Sequence, residues 1–392
     1  MPTISPERRA DLWTVGLLVA ATAIALVWAN SPWFEGYESL IHLGSGIDTG
    51  FTHLHLDPLS VVDDGLMVIF FLQIGLEIKR ELVVGELRDP RVATLPAIAA
   101  IGGMVVPAAL YAAVNAGAPG AGGWGVPIAT DIAFALGVIA LLGPRIPSPV
   151  RLFLLTLAVV DDVGAILVIA VWYSGTIQMG WLAVAGAIAI TIGVAHRRGH
   201  HAVPLHVLLG IALWYCTYRS GIHATIAGVV TGLLTTAGGP RPVAERWEHA
   251  LAPVVGFVIV PLFAFVNAGV RIEPEVLGVH GPRLVVIGTV VGLVVGKLVG
   301  VVGASWLTIR LTSAELPTGL TWRDLSGIGA LAGMGFTVSL FVANLAFDDL
   351  ALVSAAKVGV LIATTLAAVS GAVVLGRFGS RVGARRSGQD VR

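Results

Sequence analysis

The sequence predicts an all-α integral membrane protein, and three observations lead to that fold class. Charged residues make up 12% of the chain, against about 25% in a typical soluble domain. Hydrophobic residues make up 56%, and the mean hydropathy is +0.88. The charges are clustered between apolar stretches that reach the roughly 17 to 25 residues a helix needs to cross a hydrocarbon core. The chain is therefore expected to form one polytopic membrane domain over residues 1–392.

Hydrophobic runs between polar or Gly/Pro-rich breaks predict about twelve spans. The first run is long enough to cross and carries Trp13 and Trp28 near its ends, so it is interpreted as a retained helix and not as a cleaved signal. The two runs between residues 203 and 237 are the hardest to separate. The predicted spans cover residues 12–29, 61–78, 93–115, 124–142, 152–173, 179–195, 203–218, 222–237, 253–270, 284–304, 326–346 and 351–375.

Basic residues predict the orientation of these spans. An even number of spans puts both termini on one side, and short cytoplasmic loops retain Lys and Arg. With the termini inside, nineteen basic residues lie in inner segments, whereas only Arg219, Arg271 and Arg283 lie in outer ones. Both termini are therefore predicted to be cytoplasmic. The outer loop at about 30–60 is expected to be a solvated connector, or else a small hairpin or an oligomer contact, and the residues leave these alternatives open.

Two predicted spans, the fourth and the eleventh, contain helix-breaking residues. Interrupted spans at matching places in two halves of a chain predict unwound helices that cross at the bilayer midplane, where freed backbone groups line an ion site. For the glycines alone, close helix packing is the favoured explanation. The breakers are Gly125, Pro127 and Asp131 in the fourth span, and Gly327, Gly329, Gly333 and Gly335 in the eleventh.

Three carboxylates lie deep inside predicted spans: Asp131, Asp161 and Asp162. A carboxylate at the centre of a membrane helix costs at least about 2.5 to 3.5 kcal/mol, so each needs a partner or a function. Adjacent helical residues point about 100° apart, so Asp161 and Asp162 are expected to have different tasks. Lys297 is equally deep, and its pairing with Asp161 is a hypothesis.

Buried carboxylates can bind either a proton or a hard, small cation through oxygen. A site that holds one or the other, but not both, couples their movements once the protein opens alternately to each side. The alternative for a lone intramembrane aspartate is a satisfied hydrogen-bond partner. For Asp131 a structural role is favoured, with its charge near the positive N-termini of broken helices and with Thr130 adding a hydroxyl group.

A mixed charge cluster is predicted at the inner end of the second span. In the stretch FFLQIGLEIKREL, Glu77, Lys79, Arg80 and Glu81 lie where the helix should leave the membrane. They are interpreted either as a solvated helix end or as the mouth of a funnel that collects cations and responds to pH. His249, which follows Glu248, is the histidine best placed to titrate near neutrality, whereas His223 is expected to make a local helix contact.

Several function classes are disfavoured by composition. The formal net charge is zero, which gives no electrostatic case for binding nucleic acid, and the single Cys216 permits no intramolecular disulfide. No GxSxG, HExxH or phosphate-loop pattern indicates an enzyme, and no paired ligands indicate a cofactor. Two transport alternatives stay open: a cation-coupled symporter of a small organic solute, and a channel.

Long motifs, in order along nearly the whole chain, resemble those of bacterial NhaA-type sodium/proton antiporters. They are FFLQIGLEIKREL, PIATDIAFALGVIALLG, LAVVDDVGAI, SGIHATIAG, PLFAFVNAG and LAGMGFTVSLFVANLAF. The resemblance implies twelve helices with inverted repeats, of which the fourth and the eleventh are broken and cross. It also implies an inner-membrane protein, often a homodimer, that exchanges more external protons than cytoplasmic Na⁺ or Li⁺ per cycle, for pH and sodium homeostasis.

The resemblance further implies residue roles. Asp162 matches the sodium-binding aspartate, Asp161 the acid that pairs with Lys297, and Asp131 with Thr130 the assembly of the broken helices. One departure stands out, because family members carry a second histidine one turn after His249 and this chain has Ala252, which puts the pH response in doubt. The residues that match the inner funnel and the pH-response region are Asp64, Glu77, Arg80, Glu81, Glu248 and His249.

Overall fold

A computed structural model gives the fold of the chain. Three of the arginines counted on the predicted inner side, Arg145, Arg241 and Arg392, lie outside the described residues. The structure describes residues 6–43, 46–48, 53–55, 57–143, 146–200, 202–238, 242–272 and 278–386.

The described chain is helical apart from two short strands. Two 3₁₀ segments, Glu86–Arg88 and Pro119–Ile128, lie between helices. In chain order the helices and strands are α1 (Pro6–Ala29), α2 (Phe34–Ile41), β1 (Gly46–Asp48), β2 (His53–His55), α3 (Pro58–Val83), α4 (Pro90–Val114), α5 (Ile132–Leu142), α6 (Ser148–Trp172), α7 (Met179–Arg197), α8 (Val203–Arg219), α9 (Ile226–Leu234), α10 (Val243–Ala268), α11 (His280–Leu311), α12 (Trp322–Leu331), α13 (Phe336–Ala346) and α14 (Leu350–Arg386).

Eight helices of the described chain are long and apolar enough to cross a membrane, or ten if each of two bent pairs counts as one span. The chain is thus a multi-pass helical membrane protein. The predicted twelve spans are not confirmed, because the runs at 203–218 and 222–237 form α8, with 17 residues, and α9, with only 9. A nine-residue helix rises only about 14 Å, which is less than half of a hydrocarbon core.

Both predicted helix breaks are present. The Pro119–Ile128 segment and α5 are inclined by 47° about the break at residues 129–131, and α12 and α13 by 46° about residues 332–335. Local sequence explains where two of these helices begin. Asp131 caps α5 through a hydrogen bond from the Phe134 N–H group, and α12 begins with a capping box formed by Thr321 and Asp324.

The chain divides into two compact units. Unit 1 comprises the chain up to Val19, Pro90–Ala165 and the chain from Ile272 onward, and unit 2 comprises Ala20–Asp89 and Ile166–Arg271. The prediction of one polytopic domain stays a prediction. Unit 1 contains both bent helix pairs, and unit 2 contains the charged stretch of α3.

Glycines bring helices together inside each unit. In unit 2, α3 packs on α9, where a Cβ added to Gly75 would lie 2.6 Å from the Val229 carbonyl oxygen. In unit 1, α4 packs on α11, where a Cβ added to Gly300 would collide with the Gly102 carbonyl group. Small residues permit this approach, which gives membrane helices their van der Waals contact. Gly75 and Gly300 therefore permit close helix packing, although neither belongs to the glycines of the predicted breaks.

Among the described residues, three membrane helices contain a π-helical segment, and such segments are frequent at functional sites. They are Val61–Leu66 in α3, Val255–Ile259 in α10 and Val291–Gly296 in α11. The first contains Asp63 and Asp64, and the third ends directly before Lys297.

The loop at about 30–60, which the sequence predicts to be an outer one, contains a hairpin, one of the alternatives that the sequence left open. Strands β1 and β2 pair antiparallel, with Gly46 opposite His55 and Asp48 opposite His53. They follow α2, whose Tyr37 hydroxyl group donates a hydrogen bond of 2.7 Å to the Phe265 carbonyl oxygen in α10. The loop is therefore tied to unit 2 by at least one buried aromatic side chain.

Candidate functional site

Asp131 lies at the centre of the two helix breaks in unit 1 and is 3% exposed. Its Oδ1 atom accepts a hydrogen bond of 3.1 Å from the Phe134 N–H group at the start of α5. Its Oδ2 atom accepts bonds from the N–H group (3.0 Å) and the hydroxyl group (2.7 Å) of Thr337, in the first turn of α13. One carboxylate thus caps two helix N-termini, where the helix dipoles favour negative charge.

The backbone connects the two breaks as well. The Asp131 N–H group donates to the Met334 carbonyl oxygen, and the Ser339 hydroxyl group donates to the Val126 carbonyl oxygen at 2.7 Å. These bonds satisfy carbonyl groups that the interrupted helices leave without intrahelical partners. The four residues make the two bent pairs one assembly.

Thr130 connects this assembly to α6. Its hydroxyl oxygen lies within hydrogen-bonding distance of Asp161 Oδ2 and 2.9 Å from the Ala332 carbonyl oxygen. A hydroxyl group carries one proton and therefore donates to only one of these acceptors at a time. Thr130 can thus contribute a donor to Asp161, or leave that carboxylate for another ligand.

Asp161 and Lys297 form a buried ion pair, the pairing hypothesised from sequence. Lys297 Nζ contacts Asp161 Oδ2, and both residues are 0% exposed. The second oxygen of Asp161, Oδ1, has no hydrogen-bond partner among the described residues. Asp162 is 4% exposed and follows on the same helix, about 100° around its axis. The site therefore holds two neighbouring carboxylates and one ammonium group away from solvent.

A glycine stripe on α11 sets the position of Lys297. Gly296 and Gly300 face α4, where an added Cβ at Gly296 would lie 2.7 Å from the Pro107 Cα atom. At Gly300 the corresponding contact is with the Gly102 carbonyl oxygen. The backbone of α11 is thus held against α4 on both sides of Lys297. The four-residue spacing of these glycines is the sequence signal for such a contact, as in small-xxx-small motifs.

The charge cluster predicted on α3 is present in unit 2. Arg80 lies 3.1 Å from Glu81 Oε1 through its guanidinium group and 3.0 Å from Glu248 Oε2 of α10 through Nε. Glu77 is half-buried one helical turn before Glu81. His249 is exposed, and its Nδ1 atom lies 2.6 Å from the Glu245 carbonyl oxygen. The structure therefore brings together Arg80, Glu81 and Glu248, with Glu77 and His249 on the same two helices.

Asp64, which the resemblance groups with the funnel residues, lies apart from this cluster. It lies thirteen positions before Glu77 on α3, a rise of about 20 Å. Its surroundings are different: its carbonyl oxygen accepts a bond of 2.8 Å from Trp214 Nε1, and its carboxylate lies 3.8 Å from His223 Nε2. The ring of His223 also makes the expected local contact, with the Thr225 hydroxyl group at 2.9 Å.

Thr337 and Met334 are the site residues that sequence reasoning missed. Met334 lies within the glycine-rich break of the eleventh predicted span, and Thr337 stands in the first turn of the helix that restarts after it. A hydroxyl group at that position, together with an acid at the other break, was the only available signal. This signal marks Thr337 as a candidate partner for Asp131, but it does not show that the two breaks meet.

This geometry defines a class of protein. Two interrupted helices that meet at a buried carboxylate, beside an ion pair and a second carboxylate, are the features of a secondary ion transporter whose site is built from helix breaks.

The family model described as Na+/H+ antiporter 1 matches residues 9–375, so the chain belongs to this family. The antiporter NhaA of Albidiferax ferrireducens is 45% identical over 369 residues, which cover 92% of this chain and 93% of that protein. The antiporter NhaA of Thermobifida fusca is 46% identical, with coverage of 94% and 92%. The antiporter NhaA 1 of Saccharopolyspora erythraea is 48% identical, with coverage of 94% and 90%.

The comparisons decide between the predicted classes. The resemblance to NhaA-type antiporters is confirmed, and Na⁺/H⁺ antiport is the function that the family supports. The symporter alternative gains no support, and the family is one of transporters, not of catalytic proteins.

Proposed function

We propose that this chain exchanges cytoplasmic Na⁺ or Li⁺ for external H⁺ at Asp162 and Asp161, with both termini in the cytoplasm of a bacterial inner membrane. The observation that carries the proposal is the fully buried ion pair between Asp161 and Lys297, directly beside a second buried carboxylate. The family and the names of the relatives support the same pair of ions.

The charges of the site account for coupling. With all groups ionised, Asp161 and Lys297 balance each other, and Asp162 leaves one negative charge. That charge can be neutralised by one H⁺ or by one Na⁺, and the two ions compete for the same oxygens. Carboxylate and hydroxyl oxygens are suitable ligands for a hard cation. Occupancy by one ion therefore excludes the other, which is the requirement for exchange.

Asp161 supplies a route to electrogenic exchange. Its Oδ1 atom is without a hydrogen bond among the described residues, and its Oδ2 atom holds Lys297 and lies beside the Thr130 hydroxyl group. When Na⁺ takes a place on Asp161, the Lys297 ammonium group loses its partner and releases a proton. Together with the proton from Asp162, two protons leave for one Na⁺. The net charge then couples the cycle to the membrane potential, at about 2.3 kcal/mol per charge per 100 mV.

The other predicted residues are given supporting roles. Asp131, with Thr130, keeps the two breaks assembled, because its carboxylate neutralises two helix N-termini. On α3 and α10, acids and bases collect cations and respond to pH. That cluster consists of Glu77, Arg80, Glu81, Glu248 and His249. Asp64 acts separately, since the structure pairs it with His223. A homodimer is proposed on the family resemblance, with the outer hairpin as its contact.

The decisive experiment uses the full chain in everted membrane vesicles or proteoliposomes with a pH-sensitive dye. Asp162→Asn is expected to abolish the Na⁺-dependent collapse of an imposed pH gradient. Asp348→Asn removes an exposed carboxylate of the same unit and is expected to leave exchange unchanged. Full exchange by Asp162→Asn would reject Asp162 as the ion ligand. Simultaneous measurement of Na⁺ flux and membrane potential distinguishes a channel, which would pass Na⁺ without a countermovement of protons.

A further inference from the structure

Helix α4 borders both helices of the buried ion pair through two consecutive residues, Gly103 and Met104. A Cβ added to Gly103 would lie 3.8 Å from the Lys297 Cδ atom in α11. A Cβ added to Gly164 of α6 would lie 2.6 Å from the Met104 Cε atom and would collide with the sulfur atom. The Met104 thioether group therefore occupies the space that a larger residue at Gly164 would need.

The thioether group lies on the side of α6 that carries Asp161. Gly164 follows Asp161 by three positions, which places the two residues about 60° apart around the helix axis and about 4.5 Å apart along it. Asp162 is about 160° away from Gly164 around the same axis. The Cα–Cβ bonds of a helix tilt toward its N-terminus, so the space at the Gly164 Cβ position lies over the turn that begins at Asp161. Met104 therefore stands on the Asp161 side of the site.

The chemistry of Met104 differs from that of the polar groups around Asp161. Lys297 Nζ and the Thr130 hydroxyl group both contact Asp161 Oδ2. Oδ1 has no hydrogen-bond partner among the described residues, and Asp161 is 0% exposed. A thioether is a soft, weak ligand, whereas small hard cations take oxygen ligands. Met104 therefore offers no ligand to Na⁺ and fills space that water or a larger ion would otherwise take.

The contact between α4 and α6 is made by a flexible side chain, unlike the contact between α4 and α11. At Gly102 and Gly300 the backbones of α4 and α11 meet directly. At Gly164, in contrast, the unbranched side chain of Met104 fills the gap, which is a common use of methionine at helix interfaces. Met104 is itself half-buried, so this wall is one side chain thick. The room beside Asp161 therefore depends on the length of one thioether side chain.

We propose that Met104 is a specificity-determining residue for the antiport proposed above, on which this inference rests. Its thioether group closes the Asp161 side of the site to water and limits the size of the cation that replaces Lys297 on the carboxylate. Na⁺ and Li⁺ fit within the oxygens of the site. K⁺ is larger and needs more oxygen ligands, so it is excluded while Met104 holds this space.

The transport test uses the full chain in proteoliposomes with a pH-sensitive dye and with Na⁺, Li⁺ or K⁺ as the only added cation. Met104→Ala removes the thioether group and opens room for K⁺, so the ratio of the Na⁺-driven to the K⁺-driven rate is expected to fall at least about tenfold. Met104→Leu keeps most of the volume and should keep the wild-type ratio within about twofold. Met179→Ala, which removes an exposed methionine of unit 2, is the control. An unchanged ratio in Met104→Ala overturns the proposal.

A double variant tests whether Met104 and Gly164 act on the same space. Gly164→Ala places a methyl group where the Met104 sulfur atom lies, so it is expected to slow exchange of Na⁺ and Li⁺ alike. In G164A/M104A that methyl group takes back part of the vacated space, and the double variant should exclude K⁺ better than Met104→Ala does. A double variant that admits K⁺ as well as Met104→Ala does would contradict a shared space.

Thermal unfolding in detergent measures the same selectivity without transport. A cation that binds the folded chain raises the melting temperature. K⁺ is expected to raise it for Met104→Ala, but not for the wild type or for Met104→Leu, whereas Na⁺ raises it for all three. A Met104→Ala chain that Na⁺ stabilises and K⁺ does not would refute the role of Met104. A wild type that exchanges no Na⁺ at any pH rejects the proposed function, and the melting temperatures then continue to test Met104.

Discussion

The helix breaks of unit 1 and the charge cluster of unit 2 use similar residue types in opposite ways. At the breaks, Asp161 and Lys297 are 0% exposed and pair with each other. In the cluster, the Arg80 side chain is 34% exposed and contacts two glutamates. A buried charge has no water to replace a lost partner, whereas a solvated charge does. The breaks should therefore determine whether the protein works, and the cluster should adjust the conditions under which it works.

The largest effect on stability is expected for Lys297→Ala. Removing one partner of a buried ion pair leaves an uncompensated charge, which costs about 3 to 5 kcal/mol. Thermal unfolding of the purified protein in detergent measures the loss. The double variant K297M/D161N removes both charges and is expected to recover most of the stability while transport stays absent. Equal destabilisation of the single and double variants would contradict this reading of the ion pair. If Lys297→Ala still exchanges Na⁺ for H⁺ but no longer moves net charge across the membrane, Lys297 carries the second proton of the cycle.

Asp131→Ala is expected to have the next largest effect. The substitution uncaps α5 and α13 together and leaves the Phe134 and Thr337 N–H groups buried without acceptors. Loss of a cap costs about 1 kcal/mol, and a buried unsatisfied donor costs about 1 to 3 kcal/mol, so a loss of roughly 2 to 4 kcal/mol is expected. Asp131→Asn keeps an acceptor oxygen and should lose less. Equal losses for the two variants would show that the charge, and not the hydrogen bonds, holds the breaks.

Local chemistry made part of this site predictable. The glycine and the proline before Asp131 predicted a break in the helix, because neither residue continues a membrane helix easily. The pairing of Asp161 with Lys297 could be predicted because the spans contain only one other lysine that could neutralise a buried carboxylate. The partner of Asp131 could not be predicted in this way. Thr337 is 206 residues away in sequence, and only the tertiary fold shows that the two breaks meet.

The grouping of Asp64 with the other funnel residues stays a prediction. Asp64 and Glu77 share α3, and the family motif suggested one funnel for both, but thirteen helical positions separate them by about 20 Å. The rings of His196, His206 and Trp247, whose centroids lie 4.2 to 6.0 Å apart, show the opposite limit. His196, His206 and Trp247 come from three helices with no common motif, so their contact depends on packing that no local pattern encodes. Sequence reasoning found the pair between spans that the scarcity of buried charges indicated, and it missed contacts between spans that no such scarcity marks.

Two glycines of α11 differ in how closely their backbone is packed. Gly300→Ala places a methyl group against the Gly102 carbonyl oxygen, whereas Gly303→Ala, on the same helix, meets nothing within 4 Å. The first variant is expected to lose about 1 to 3 kcal/mol of unfolding free energy, because two backbones must separate. The second should be neutral or gain up to about 1 kcal/mol from helix propensity. Thermal unfolding of both variants provides the test, and similar melting temperatures would contradict close packing beside Lys297.

The smallest effect on stability is expected for Arg80→Ala. Its ion pairs are partly solvated, so the loss should be below about 1 kcal/mol. Arg80 is one of the charged groups proposed to set the pH response, so the pH of half-maximal exchange should move when its charge is removed. Lys79→Ala removes the same charge from the same helix, where Lys79 forms no ion pair among the described residues, and should shift the profile less. A large loss of stability, with an unchanged pH profile, would mean that the cluster supports the fold and that the contrast with the helix breaks is wrong.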